Sequence, residues 1–256
     1  MLTSQINPET NTRKKYKKII NILRRNYRMK KKLIIIFIAT ISLFLMTGCS
    51  NNSKVVEENL LGIDFNTQTN ETTLSQYETD NPVVAMYIEN YGAIVIELYP
   101  DIAQNTVANF IHLVKTGFYD NNTMHRLVPG FVLQGGDPLG NGTGGPGYTI
   151  KGEFAANNFQ NDLKHETGVV SMARTSVSND TAGSQFFIML GEASYLDGQY
   201  AAFGKVIDGW SNIESITKNE QIQNQETGQL KSNLIIKKSI IDLKGKTYPE
   251  VEKITK

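Results

Sequence analysis

A regular hydrophobic pattern begins near Val83. Val83-Val84-Ala85-Met86-Tyr87-Ile88 reads as a strand and Glu89-Asn90-Tyr91-Gly92 as a turn. Residues 93–99 return with Ile94, Ile96 and Leu98 on one face and Val95 and Glu97 on the other. Period-two patterning around a Gly-containing turn predicts a β-hairpin. The period then changes: Val107, Phe110, Ile111 and Val114 fall at i, i+3, i+4 and i+7, the stripe of an amphipathic helix. Asn105 or Thr106 is placed to cap its start and Gly117 to end it. Further strands are predicted over 124–128, 131–134, 169–172, 186–189 and 202–206. A second helix is expected from Asp208, as N-cap, through Trp210, Ile213 and Ile216, and a last apolar strand over 234–243. Many short strands, two helices and long Gly-rich connections predict a mainly β fold, a closed antiparallel barrel with helices over its open ends. A small closed barrel fills its interior with side chains, so a substrate site is expected on the outer wall or in the loops.

Upstream the pattern is of another kind. Residues 33–46 form a fourteen-residue apolar run behind Lys30-Lys31-Lys32. A stable membrane span needs about 20 residues, whereas a basic flank, a short apolar core and small residues at its end predict a secretory signal. The run closes on Leu45-Met46-Thr47-Gly48-Cys49-Ser50, which resembles a bacterial lipobox with Met46 where Leu is usual. That resemblance implies that the Cys49 thiol is diacylglycerated, that the leader is cut just before it, and that the protein is held on the extracytoplasmic face of the cell membrane by more than one acyl chain. Residues 1–28 add a long basic stretch ahead of Met29; either the basic flank is extended or translation starts at Met29, and the second is preferred. Residues 50–80 are rich in Asn, Ser, Thr, Gln and Glu with no sustained apolar period, a composition that does not offset its own ordering entropy. The expected organisation is therefore a signal peptide over 1–48, a lipidated N-terminus and flexible spacer over 49–82, a barrel domain over 83–243 and a charged tail over 244–256.

Charge sharpens this division. Residues 1–48 hold eleven Lys or Arg against one acid, Glu9, while residues 49–256 hold fifteen bases against twenty-four acids. A basic leader on an acidic body fits export, and the acidic body speaks against a nucleic-acid partner. Cys49 is the single cysteine, so no intrachain disulfide can form.

Several chemistries are poorly served. The stretch from Gly135 through Gly147 contains no Gly-Lys-Ser/Thr and opens no helix, so it is expected to form tight turns rather than a phosphate loop. His112, His125 and His165 are the only histidines and no two stand at metal-ligand spacing; no metal or cofactor is expected. No strained Gly-x-Ser-x-Gly turn is present. What remains is Met124-His125-Arg126-Leu127-Val128-Pro129-Gly130-Phe131-Val132-Leu133-Gln134-Gly135-Gly136-Asp137, which gathers a cation, an aromatic and an amide on two strands joined by a Pro-Gly turn. Beyond the leader, Arg126 and Arg174 are the only arginines among many lysines, which favours a specific guanidinium role.

That segment resembles the signature of the cyclophilin family. The resemblance continues in order through Gly142-Thr143-Gly144-Gly145, Ser171-Met172-Ala173, Gly183-Ser184-Gln185-Phe186-Phe187-Ile188, Leu196-Asp197-Gly198 and Phe203-Gly204-Lys205-Val206. It implies an eight-stranded antiparallel barrel capped by two helices, and peptidyl-prolyl cis-trans isomerase activity on X-Pro segments of unfolded or secreted polypeptides. By the same resemblance Arg126 is the catalytic residue, and Phe131, Val132, Phe187 and Leu196 form the proline pocket. Gln134 holds Arg126 and the substrate backbone, and Ala173, Arg174 and Gln185 line the groove for residues before proline. Tyr195 and Tyr200 complete the substrate site, standing where the family often has Trp and His; Val132 replaces a usual Met. The expectation is a monomer whose partners are such polypeptides and, through the lipid, the membrane. A module that grips Pro-containing segments without needing turnover is the alternative.

Overall fold

In the computed structural model, which describes residues 74–255 together with Ile63 and Phe65, eight strands close on themselves. The chain runs β1 (Val83–Ile88), β2 (Gly92–Leu98), α1 (Gln104–Lys115), β3 (Asn122–Val128), β4 (Val132–Asp137), β5 (Val169–Met172), β6 (Phe186–Met189), β7 (Ala202–Asp208), α2 (Trp210–Asn219), β8 (Ile222–Asn224) and β9 (Gln229–Asp242), with single 3-10 turns at Ala155–Asn157 and Ser194–Leu196. Neighbours are ordered β1-β2-β7-β5-β6-β4-β3-β9-β8, and β1 also pairs with β9. Every pairing is antiparallel. The β1–β9 pairing closes the ring, and β8 hangs outside it on β9. The hydrophobic pattern predicts no β8 and starts the last strand at Leu234. The missing stretch is mostly exposed and polar, so it carries no apolar period.

Alternation decides which residues enter the barrel. Val84, Met86 and Ile88 of β1 and Ile94, Ile96 and Leu98 of β2 face inward, joined by Leu127, Leu133, Val170, Phe186, Ile188 and Phe203. Phe110 of α1 lies over one mouth, its ring 5.0–5.4 Å from those of Tyr119, Phe186 and Phe203. Each such buried side chain contributes roughly 1.5–3 kcal/mol. The interior is thereby filled, and ligand chemistry is left to the outer wall.

The helix ends differ from expectation. Neither Asn105 nor Thr106 caps α1 with its side chain; the N-cap is Ala103. Instead the Glu153 carboxylate, from a distant loop, accepts the backbone N–H groups of Asn105 (3.0 Å) and Thr106 (2.7 Å). This satisfies two orphan donors and places negative charge at the positive end of the helix dipole. Gly117 does end α1: at φ +70 its N–H reaches the Val114 carbonyl, and that of Phe118 reaches Leu113, a Schellman closure. Asp208 is not the N-cap of α2. Gly209 holds that position without a side-chain bond, and Asp208 accepts the Gly209 N–H and the Tyr77 hydroxyl.

Both flanks of the barrel domain are less free than their composition suggested. The leader, Cys49 and most of residues 49–73 lie outside the described residues. Of the expected flexible spacer, however, Ile63 and Leu74 are buried against Val83, Ala85, Ala93, Val95 and Ile240, with Phe65 and Tyr77 beside them. The Lys244 ammonium fixes this segment by donating to the Leu74 and Tyr77 carbonyls. The expected charged tail is packed as well. Tyr248 and Val251 lie on the main core, Thr149 and Ile254 form a β-bridge, and the Asn105 side chain bonds both main-chain groups of Glu252. Isolated apolar residues in a polar stretch suffice when a preformed sheet face awaits them.

Candidate functional site

A bulge in β3 turns Arg126 outward. Met124 and Leu127 both lie in the barrel core although an odd separation would put them on opposite faces of a regular strand. The register resolves this: Met124 faces Gly135 and Arg126 faces the adjacent Gln134, leaving His125 as the extra residue. Such a bulge re-aims the side chains that follow it. Arg126 therefore stands on the outer wall, half-buried, in one transverse row. Gln134 lies opposite it on β4, Phe187 opposite Gln134 on β6, and Ser171 opposite Phe187 on β5.

Around Phe187 the outer faces of β4 to β7 carry an apolar cluster separate from the barrel core. Val132, Val169, Phe187, Met189, Ala193, Leu196 and Ala202 are buried in it, and Val128, Phe131, Leu163, Ala173 and Tyr200 are partly open. Phe131 is stacked by Tyr195 at 6.1 Å, Tyr195 itself being 69% exposed. Tyr200 meets Phe187 edge-on at 5.8 Å. The guanidinium carbon of Arg174 sits 4.8 Å from the Tyr200 ring and 5.3 Å from that of Phe154, and that of Arg126 lies 5.9 Å from the Phe131 ring. An apolar hollow with a cation at its edge is the result.

The polar side of the hollow is ordered by one rule: arginine only donates. Arg126 Nη1 donates to Gln134 Oε1 at 3.0 Å. Gln134 must then turn its amino group away, and donates to Gln185 Oε1 at 3.1 Å. Gln185 in turn donates to the carbonyls of Gly142 (3.0 Å) and Gly144 (2.9 Å). The Gly-rich loop ends this chain and is itself folded on Asp137, whose carboxylate accepts the N–H groups of Leu139, Asn141 and Gly142. Burial raises the Asp137 pKa, but these three bonds outweigh it and the net shift is downward. A Cβ at position 144 would stand 1.9 Å from Asp137 Oδ1, so only glycine fits. Burial lowers the Arg126 pKa, with Tyr200 and Tyr195 opposing.

Behind Phe187 lies a layer that the sequence did not disclose. His165, which the sequence marks only as one of three histidines, is 1% exposed, with its ring stacked on Phe187 at 6.1 Å. Its Nδ1 lies 3.1 Å from Asp197 Oδ1 and its Nε2 lies 3.1 Å from the Ser171 hydroxyl. A carboxylate can only accept, so Nδ1 carries the proton and Nε2 accepts from Ser171. Burial lowers the His165 pKa, partly opposed by Asp197. The Ser-His-Asp set resembles a hydrolytic triad in connectivity, but Ser171 is fully buried and no substrate carbonyl could reach it.

All the residues assigned from sequence, namely Arg126, Phe131, Val132, Gln134, Ala173, Arg174, Gln185, Phe187, Tyr195, Leu196 and Tyr200, thus fall on one stretch of outer wall. The linking group that was missed is the Thr227 carbonyl, 2.7 Å from Arg126 Nε; a main-chain atom in a polar hairpin leaves no sequence signal. Among the described residues no group of three or more His, Cys, Asp or Glu is gathered as for a metal ion.

Comparison with known proteins bears on the fold described above. A family model described as cyclophilin type peptidyl-prolyl cis-trans isomerase matches residues 83–240. Peptidyl-prolyl cis-trans isomerase B of Bacillus subtilis is 51% identical over 133 residues, 52% of this chain and 89% of that protein. An isomerase of Helicobacter pylori is 43% identical over 136 residues, 52% of this chain and 80% of that protein. Among solved structures, a cyclophilin-type isomerase of Cryptosporidium parvum, crystallised in the presence of the dipeptide Ala-Pro, superposes with a TM-score of 0.54 at 32% identity, covering 62% of this chain and 98% of that one.

Proposed function

The chain belongs to the family of cyclophilin-type peptidyl-prolyl cis-trans isomerases and is an isomerase, and from that premise we propose that it works outside the cytoplasmic membrane. There it is tethered through lipidated Cys49 and catalyses X-Pro isomerisation in secreted polypeptides. The location rests on the basic flank, the fourteen-residue apolar run and Gly48-Cys49 at its end. The chemistry rests on one observation, a guanidinium held by neutral partners at the rim of an apolar hollow.

The X-Pro amide resists rotation because the nitrogen lone pair is shared with the carbonyl, a barrier of about 18–20 kcal/mol. Uncatalysed exchange takes about 10–100 s, so reaching milliseconds requires roughly 10⁴-fold, or about 5.5 kcal/mol. No nucleophile or acid-base pair is needed. The proline ring enters the hollow of Phe131, Val132, Phe187 and Leu196. Arg126 offers N–H donors to the prolyl nitrogen, whose lone pair localises as the bond twists. A hydrogen bond to a charged group contributes about 1.5–3 kcal/mol; the remainder comes from holding the ring while the preceding carbonyl turns in a partly desolvated groove.

Arg126→Ala is expected to lower kcat/KM on the order of 10- to 100-fold while peptide binding is largely kept, as read by exchange NMR on an X-Pro peptide. Undiminished turnover would remove Arg126 from the chemistry. Cys49→Ala is expected to move the protein from the membrane fraction into the medium and to abolish the lipid mass; unchanged attachment would refute the anchor.

A further inference from the structure

The β8–β9 hairpin has no place in the chemistry so far, yet it touches Arg126 directly. Along β3 the partner on β9 jumps from Leu234, opposite Met124, to Gln229, opposite Arg126. Between them Leu230, buried in the main core, pairs with Ile222 of β8, and Gln229 pairs also with Asn224. The turn between them is folded on Asn224. Its side-chain Oδ1 accepts the N–H groups of Glu226 (2.9 Å) and Thr227 (3.2 Å), and its carbonyl accepts that of Gly228. Two consecutive carbonyls then meet β3: Gly228 accepts the Leu127 N–H at 2.8 Å, and Thr227 accepts Arg126 Nε–H at 2.7 Å.

We propose that this hairpin is a positioning element of the isomerase, in which the Thr227 main-chain carbonyl and the Gln134 amide together set the plane of the Arg126 guanidinium. This rests on the assignment of the chemistry to Arg126. An arginine side chain has about 2 kcal/mol of rotamer entropy, and one acceptor at Nη1 leaves it free to pivot about that bond. A second acceptor at Nε, in another direction, fixes the plane and with it the aim of the Nη2 amino group, which has no protein acceptor among the described residues. Both acceptors are neutral. A carboxylate in either place would hold the arginine equally well but would neutralise the charge that the twisting prolyl nitrogen needs. Alignment of this kind, achieved before the substrate arrives, is what raises turnover rather than binding.

The hairpin can be perturbed at two residues of its own turn, Asn224 and Gly228, the latter lying against Val128 at the edge of the apolar cluster. Asn224 is exposed, and Asn224→Ala removes the acceptor that folds the turn, whereas Asn224→Asp keeps it. At Gly228, with φ +76, an added Cβ would lie 2.5 Å from Val128 Cγ2 and 2.8 Å from the Leu127 carbonyl, so Gly228→Ala pushes the turn away from β3. Each is to be measured in the full chain in detergent, in the wild-type and Arg126→Ala backgrounds, by exchange NMR and peptide titration. In the wild-type background Asn224→Ala and Gly228→Ala should lower kcat about tenfold with the peptide Kd changed less than twofold, and Asn224→Asp should retain activity. In the Arg126→Ala background neither should lower the rate further, since coupled residues are non-additive. Full activity in both variants, or equal losses in the two backgrounds, would overturn the role of the hairpin alone. Wild-type activity in Arg126→Ala itself would overturn the assignment on which it rests.

Discussion

Arginine donates and never accepts, and that single property orients the amides from Gln134 through Gln185 to the Gly142 and Gly144 carbonyls. Gln134→Glu breaks the order in two ways, placing a neutralising charge on Arg126 and removing the donor to Gln185. We expect kcat/KM to fall about tenfold, the value of roughly 1.4 kcal/mol of lost transition-state stabilisation, with little change in fold; unaltered kinetics would show that the neutrality of the acceptor is immaterial. Histidine sets a second expectation at this scale. Burial lowers the pKa of His165, His125 and His112 below the ordinary 6.5. As the pH falls through about 6.5 the unfolded chain takes up protons that the folded chain resists, so stability should fall. The depressed carboxylates Asp137 and Asp197 act in the same direction only below their ordinary 3.8. Tm should therefore decline between pH 7.5 and 5, by about 2–4 °C for each kcal/mol lost; a flat profile over that range would contradict it.

Helix α1 shows how an element borrows what its own sequence lacks. Its N-terminal N–H groups are satisfied by Glu153, across 47 and 48 residues of chain, and the candidate cap Asn105 is spent on the C-terminal segment instead. Glu153→Ala should cost about 1–2 kcal/mol, read as a lower urea midpoint at unchanged slope, and should leave the isomerase rate of the folded protein intact. The strands β5 and β6 needed no such help. Both are short runs buried on both faces, in the barrel and in the outer cluster, and their ends coincide with those read from the pattern. The bulge of β3 was hidden because one extra residue changes the direction of Arg126 without changing composition.

Around the ring of strands, β1 lies opposite β6, so the apolar patch covered by Ile63, Leu74 and Tyr77 and the hollow around Phe187 occupy opposite walls. Leu74→Ala should therefore lower stability by roughly 2–4 kcal/mol while kcat/KM of the folded protein stays constant; a matching loss of activity would mean that the two walls communicate. The motifs from Arg126 to Val206 placed the side chains of the hollow only through their resemblance to a known family, whereas the periods of two and 3.6 and the Pro-Gly turn were sufficient, from sequence alone, to predict the strands, the two helices and a closed barrel. Those are local or short-range properties, written in which residues are apolar and how far apart they stand. What only the tertiary structure decided are contacts made by groups that composition does not mark: the Thr227 carbonyl on Arg126, Glu153 on the start of α1, His165 and Ser171 behind Phe187, and the docking of both flanks. Each depends on a backbone atom or a lone side chain meeting a distant partner, and such meetings are set by how the ring of strands closes rather than by any pattern along the chain.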